Sequence, residues 1–255
     1  MPVVALIAAG LTYRAGGLPG LFVLIAAAAT AYLMRARLAS LLDRLPGRSG
    51  RPGPDTGEAG ASSFARAREL RTPWVRLLTA AGIKTSAEAM ASNCEAGGKG
   101  EREAAELLAP LADEGWVLLF DRKLPRGGAN IDCLAISPRG TVYNLDPKQW
   151  SARLRLTAHR GRLYHGNQDV TDRLDGIRYG TRSINALLSV DALPVALMLG
   201  PLERGVQLRA AGVRIIAAAD ACAVLRALDA QQIPCQRGPQ FVNVAARLLP
   251  SYTRS

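Results

Sequence analysis

Lysine, histidine and cysteine are scarce in this sequence. Of 32 basic residues only Lys84, Lys99, Lys123 and Lys148 are lysines, and His159 and His165 are the two histidines. The four cysteines, Cys94, Cys133, Cys222 and Cys235, show no CxxC spacing, which argues against a zinc site or a disulfide scaffold and fits reduced thiols in a cytosolic main domain. No P-loop pattern occurs, which argues against an intrinsic ATP-driven motor. Acidic residues are also in the minority. The resulting formal charge of +11 fits a polyanionic partner or an anionic membrane surface. A hydrophobic content of 49% over 255 residues excludes a disordered chain and allows one substantial core.

Residues 1–34 are largely apolar, with an interruption at 13–17. The second apolar run, LPGLFVLIAAAATAYLM at 18–34, reaches the lower length limit of a membrane-spanning helix. Arg35, Arg37, Arg44, Arg48 and Arg51 follow it, and the positive-inside rule then places the remainder in the cytoplasm, at an inner or plasma membrane. The alternatives are a two-helix hairpin that also uses 2–13, or a buried Ala-rich helix. Residues 1–45 are thus expected to form a membrane-anchor region. The Gly, Pro and Ser of 46–63 suit a flexible linker, and 64–96 reads as a helical basic segment.

Within that segment, 64–81 is expected to be one helix with Leu70, Trp74, Leu77 and Leu78 as its apolar stripe. Its Arg66, Arg68 and Arg71 are candidate nucleic-acid contacts, or else a solvated face. A weaker helix covers 85–94, and the glycines of 97–100 suggest a break before a second helix whose Ala104, Leu107, Leu108 and Leu111 face a core. Pro110 should bend or shorten that helix. A short strand at 116–120 precedes the central stretch. After it come a hairpin around Arg160-Gly161 that could extend the sheet, a helix over 172–190 with Arg173, Arg178 and Arg182 as further nucleic-acid contacts, strands at 195–199 and 213–218, and helices at 220–230 and 240–249.

The most informative stretch is NIDCLAISPRGTVYNLDPKQW, residues 130–150. Pro138 suits the first turn position and Gly140 the left-handed position of a three-residue hairpin loop. If Ser137 pairs with Thr141, then Ile136 faces Val142, Leu134 faces Asn144, and Asp132 lies opposite Asp146. Opposed like charges destabilise a sheet, so this pair calls for a cation. Period-two alternation puts Lys148 on the face of Asp146, with Ile131, Cys133, Ala135, Tyr143 and Leu145 on the other. Pro147 cannot donate a ladder hydrogen bond, so a bulge beside Lys148 is expected. A plain salt bridge of Lys148 with the aspartates is the structural alternative.

Gly100-Glu101, Asn130-Ile131-Asp132, the SPRG turn and the D-x-K of Asp146, Pro147 and Lys148 together resemble the nuclease-related domain (NERD) family. That family is similar to the PD-(D/E)XK nuclease superfamily. The resemblance covers 97–190 and implies an α/β fold with a restriction-endonuclease-like αβββαβ core and a mixed central sheet, leaving 191–255 as an α/β extension. It implies metal-dependent hydrolysis of DNA or RNA. Asp132, Asp146, Glu101 and the Pro147 carbonyl would hold Mg²⁺ or Mn²⁺, and Lys148 would position the attacking water or offset charge on the phosphate. A nuclease-fold domain that binds nucleic acid without cutting it, or serves as a membrane-associated scaffold, is the alternative.

Overall fold

A computed structural model describes residues 54–126, 128–235 and 239–252. The expected membrane anchor, and the first eight residues of the expected linker, lie outside these residues. Among the described residues no helix is long and apolar enough to cross a membrane.

The helix expected over 64–81 is two helices, α1 (Ala61–Leu70) and α2 (Pro73–Ala80). Pro73 causes the break, because it suits the first position of a new helix but not the interior of an old one. Thr72 caps α2, its hydroxyl accepting from the Val75 N–H at 3.3 Å. The expected apolar stripe does not face a core: Trp74 is 66% and Leu77 59% exposed.

The glycines of 97–100 do not break the chain either. Helix α3 runs unbroken from Ser86 to Leu108, starting at a Thr85 cap. The glycines there serve close approach. A Cβ on Gly98 would lie 2.9 Å from the Phe64 ring of α1, and one on Gly100 3.2 Å from Leu199. Pro110 ends α3 and opens the one-turn α4 (Pro110–Asp113).

Strands β1 (Val117–Lys123), β2 (Asn130–Ile136) and β3 (Val142–Gln149) follow as an antiparallel meander. The hairpin β4 (Leu156–His159) and β5 (Arg162–His165), with the two-residue β6 (Gln168–Asp169), forms its own three-stranded sheet instead of extending the main one. Helix α5 (Asp175–Leu188) returns the chain to β7 (Leu193–Leu199), which pairs parallel with β3. Then come β8 (Gln207–Ala210), β9 (Val213–Ala217), α6 (Ala221–Ala230) and α7 (Pro239–Leu248).

The main sheet has the order β1-β2-β3-β7-β9-β8 and is mixed. Helix α3, β1 to β3, α5 and β7 supply the αβββαβ order of a nuclease-like fold. One face packs Cys133, Ala135, Tyr143 and Leu145 against Ala104 and Leu108 of α3 and Leu225 of α6. The other packs Leu134, Ile136 and Val142 against Ile184 of α5 and Ala245 of α7. Each fully buried Leu or Ile contributes about 1.5–3 kcal/mol. The small sheet lays Leu156 and Leu163 with Met198 and Ile215 in a third cluster.

Strand β1 is an edge of the sheet, and the segments around Thr56 and Pro250 cover it. The Phe120 N–H donates to Thr56 O at 2.7 Å, and the Lys123 N–H to Pro250 O at 2.9 Å. Arg122, fully buried, donates to the carbonyls of Leu249 (2.6 Å), Ala246 (2.8 Å) and Asp55 (2.9 Å). Its charge thus meets the negative end of α7. Residues 55–57, expected to be flexible linker, are therefore strapped to the sheet.

Candidate active site

The β2–β3 hairpin takes the expected register, with Ile136 opposite Val142, Leu134 opposite Asn144 and Cys133 opposite Leu145. Gly140 adopts φ +85°, and Ser137 N–H donates to Thr141 O at 2.9 Å. The ladder stops after Cys133 and Leu145. Asp132 and Asp146, the next residues in register, stand where the strands part. On the other side of β2 the ladder to β1 skips one pair, passing from Phe120–Cys133 to Arg122–Ile131. The skipped residues are Asp121 and Asp132.

Asp121 is buried and has φ +47°, a left-handed conformation that Asp and Asn tolerate best among residues with a Cβ. The alternation of β2 fails at the same point. Ile131 packs with Leu134 and Ile136, not with Cys133 as expected. The interruption leaves Asp121 and Asp132 unpaired in the ladder and within electrostatic reach of Glu101 on α3.

Four acids then share one neighbourhood. Asp146, with a side chain only 10% exposed, places one oxygen 2.8 Å from Lys148 Nζ. Its other oxygen is buried with no hydrogen-bond partner. Asp132 lies within electrostatic reach of both Asp146 and Glu101. Glu101, from α3, accepts from the Ser63 hydroxyl at 2.7 Å, while its Oε2 is buried without a partner. Asp121 accepts from the Ser62 N–H at 2.5 Å and from the Asn130 side-chain amide at 2.9 Å.

Burial, and then the charges of Asp121 and Asp146, push the Glu101 carboxyl up to about 7 against the pull of Ser63. Burial raises Asp132 well above the usual carboxylate range as well, with Asp146 and Glu101 adding to it and Lys148 opposing. These are the shifts of buried acids held against like charge.

Pro147 produces no bulge on the side that holds the site together. The parallel ladder to β7 runs without a gap from Tyr143–Leu193 through Pro147–Leu197 to Gln149–Leu199. The missing N–H falls where β3 has already parted from β2, and Lys148 stays in register.

A cleft of about 630 Å³ opens onto Asp132, with Ser63, Arg66, Lys123, Asn130 and Tyr252 on its walls. The volume lies in the range of ligand-binding clefts. Arg66 is exposed and pairs with Glu69 at 3.2 Å, and Lys123 Nζ lies 4.7 Å from the Tyr252 ring centroid.

The other arginines expected to contact nucleic acid are dispersed. Arg68 lines a separate cavity with Phe64 and Arg102. Arg71 is tied inward to Glu88 (2.9 Å) and Glu95 (2.8 Å). Arg173 sits 5.6 Å over the Trp150 ring, Arg178 pairs with Asp175 at 2.8 Å, and Arg182 is exposed on α5.

Residues 96–197 match the family model of NERD, the nuclease-related domain. No curated protein and no solved structure matches the chain. Glu101, Asp121, Asp132, Asp146 and Lys148 all lie inside the NERD match. Ser62, Ser63, Arg66 and Tyr252 lie outside it, so segments flanking the NERD region also line the cleft. The match supports a nuclease-related function.

Sequence reasoning passed over Asp121, Ser63 and Lys123. Only Asp121 left a signal, as an acid directly after the apolar run Val117–Phe120, where a structural strand gains nothing from a charge.

A metal ion must be weighed against this donor set. Among the described residues no three His, Cys, Asp or Glu side chains converge closely enough to hold one as they stand. The available donors are nevertheless all oxygens, and two of them, on Glu101 and Asp146, are buried and unpartnered. A hard cation that takes one or two carboxylates and keeps its waters fits such a set.

Proposed function

We propose that this chain is a membrane-tethered, divalent-metal-dependent nuclease that hydrolyses phosphodiester bonds of DNA. The observation that carries the reading is the pair of buried, partnerless carboxylate oxygens on Glu101 and Asp146, with Lys148 on Asp146 and Asp132 lining a cleft that also holds Arg66 and Lys123. Asp132, Asp146, Glu101 and the Pro147 carbonyl would hold Mg²⁺ or Mn²⁺. Bound there, the metal supplies polarisation of the phosphate and acidification of a water. Lys148, fixed by Asp146, offsets charge that grows on the phosphate. Arg66 and Lys123 bind flanking phosphates. Ser63 orients Glu101, and Asp121 holds the start of α1 so that Ser63 can reach it.

The tether rests on sequence: the apolar run at 18–34 and the five arginines that follow it.

A second reading is favoured by one observation, the lack of three converging metal-binding side chains among the described residues. In that reading the domain binds nucleic acid without cutting it, and binding is steeply salt-dependent but independent of divalent ions.

The discriminating experiment compares DNA cleavage by the unaltered chain with Asp132→Ala, Asp146→Ala and Lys148→Ala. All three should lose cleavage while keeping cooperative unfolding. Cleavage that survives all three substitutions overturns the proposal.

A further inference from the structure

Helix α2 has an apolar face that the fold does not use. It buries none of its residues. Trp74 and Leu77 lie one turn apart on the same side, and Ile83, just beyond the helix, is 51% exposed. Large side chains at this exposure, grouped on one short element, mark an interaction surface. The segment is held to α3 through Arg71, whose guanidinium reaches Glu88 and Glu95.

The charge within this segment has one sign. Residues 70–85 contain Arg71, Arg76 and Lys84 and no acid. Arg71 is turned inward, while Arg76 and Lys84 are exposed. A second copy of the same face would set these cations against each other. A protein partner would have to supply every compensating acid itself. An anionic bilayer surface supplies negative headgroups for the two cations and an apolar layer for Trp74, Leu77 and Ile83. Trp suits that boundary because one end of its ring is polar.

The position in the chain points the same way. Pro73 follows Met34, the end of the 17-residue apolar run, by 39 residues, and 35–53 contain five arginines. Those 19 residues span at most roughly 65 Å when fully extended, so a domain anchored by that run is kept near the membrane. At such effective concentration a weak contact is sufficient.

We infer that α2 and the turn after it form a foot that rests on an anionic lipid bilayer, inserting Trp74, Leu77 and Ile83 among the headgroups with Arg76 and Lys84 on lipid phosphates. The inference draws on the membrane tether proposed above, but its test does not require it. The unit Pro52–Ser255 is compact on its own and lacks the apolar run.

This fragment is sedimented with vesicles of phosphatidylglycerol or of phosphatidylcholine at low salt, beside Trp74→Glu and Leu77→Glu. These side chains are exposed, so both variants should keep the melting temperature of the parent. The fragment should bind phosphatidylglycerol vesicles and not phosphatidylcholine, and each substitution should abolish binding. A folded fragment that ignores phosphatidylglycerol, or variants that bind as the parent does, overturns the inference. So does a dimer, or DNA binding, that Trp74→Glu dissolves while vesicle binding persists. Extraction of the full chain from membranes tests the tether separately.

Discussion

Lys148 holds one oxygen of Asp146 at 2.8 Å, and the other oxygen of Asp146 is buried with no hydrogen-bond partner. A buried, unsatisfied acceptor costs about 1–3 kcal/mol, more when charged. A cation that binds there removes the cost and stabilises only the folded chain. Mn²⁺ should therefore raise the melting temperature, by an amount equivalent to about 2.7 kcal/mol at a hundred times its dissociation constant. Asp146→Asn should remove most of that rise. An equal Mn²⁺ effect in the variant would place the metal elsewhere.

Glu101 carries the pH dependence. Its carboxyl is pushed up from the usual 4.5 to about 7 in the folded chain, so the folded state binds its proton more tightly than the unfolded state does. Without metal, the contribution of Glu101 to stability should then fall as pH rises from about 4.5 and level off above about 7, and the raised Asp132 carboxyl acts in the same direction. Glu101→Gln keeps an acceptor for Ser63 and removes the charge. At pH 8 in EDTA it should be more stable than the parent by roughly 1–3 kcal/mol, and it should gain less from Mn²⁺. Chemical denaturation at pH 5 and pH 8 measures both effects.

Asp121 links three parts of the site through its hold on Ser62 and Asn130 and its nearness to Glu101. Asp121→Ala loses a helix-start acceptor and leaves alanine in a left-handed conformation, at a cost of about 2 kcal/mol or more in urea unfolding. Asp121→Asn, which tolerates φ +47°, should cost less than the alanine variant. Equal costs would show that the backbone conformation at this position matters little.

The arginines separate by where the fold puts them. Arg66→Ala and Lys123→Ala should each weaken DNA binding and lower the salt slope by about one. Arg71→Ala should leave the slope unchanged and lower stability, because Arg71 is committed to Glu88 and Glu95. Binding measured from 50 to 200 mM salt distinguishes the two classes.

The parts of this fold that could be read in the sequence are those set by neighbours in the chain. Gly140 in the SPRG loop fixes the hairpin register, and the register brings Asp132 and Asp146 to the same end of β2 and β3. What stayed hidden is set by distant partners. The glycines of α3 look like breakers until Phe64 and Leu199 are seen against them. Asp121 gains its role from Ser62, 59 residues away. The periodicity of Trp74 and Leu77 gives a helix but not the side that meets a core, and in α2 none does. Strand β8, QLRA, is a short polar edge with no pattern to announce it. Pro147 looked disruptive because sequence alone does not tell which side of a strand has already lost its neighbour.

The most direct measurement follows plasmid and single-stranded DNA with the chain in Mg²⁺, in Mn²⁺ and in EDTA, beside Asp146→Ala. Cleavage in either metal that vanishes in EDTA and in the variant is the predicted result. DNA binding without cleavage in any metal would contradict it, and would make the domain a holder of nucleic acid.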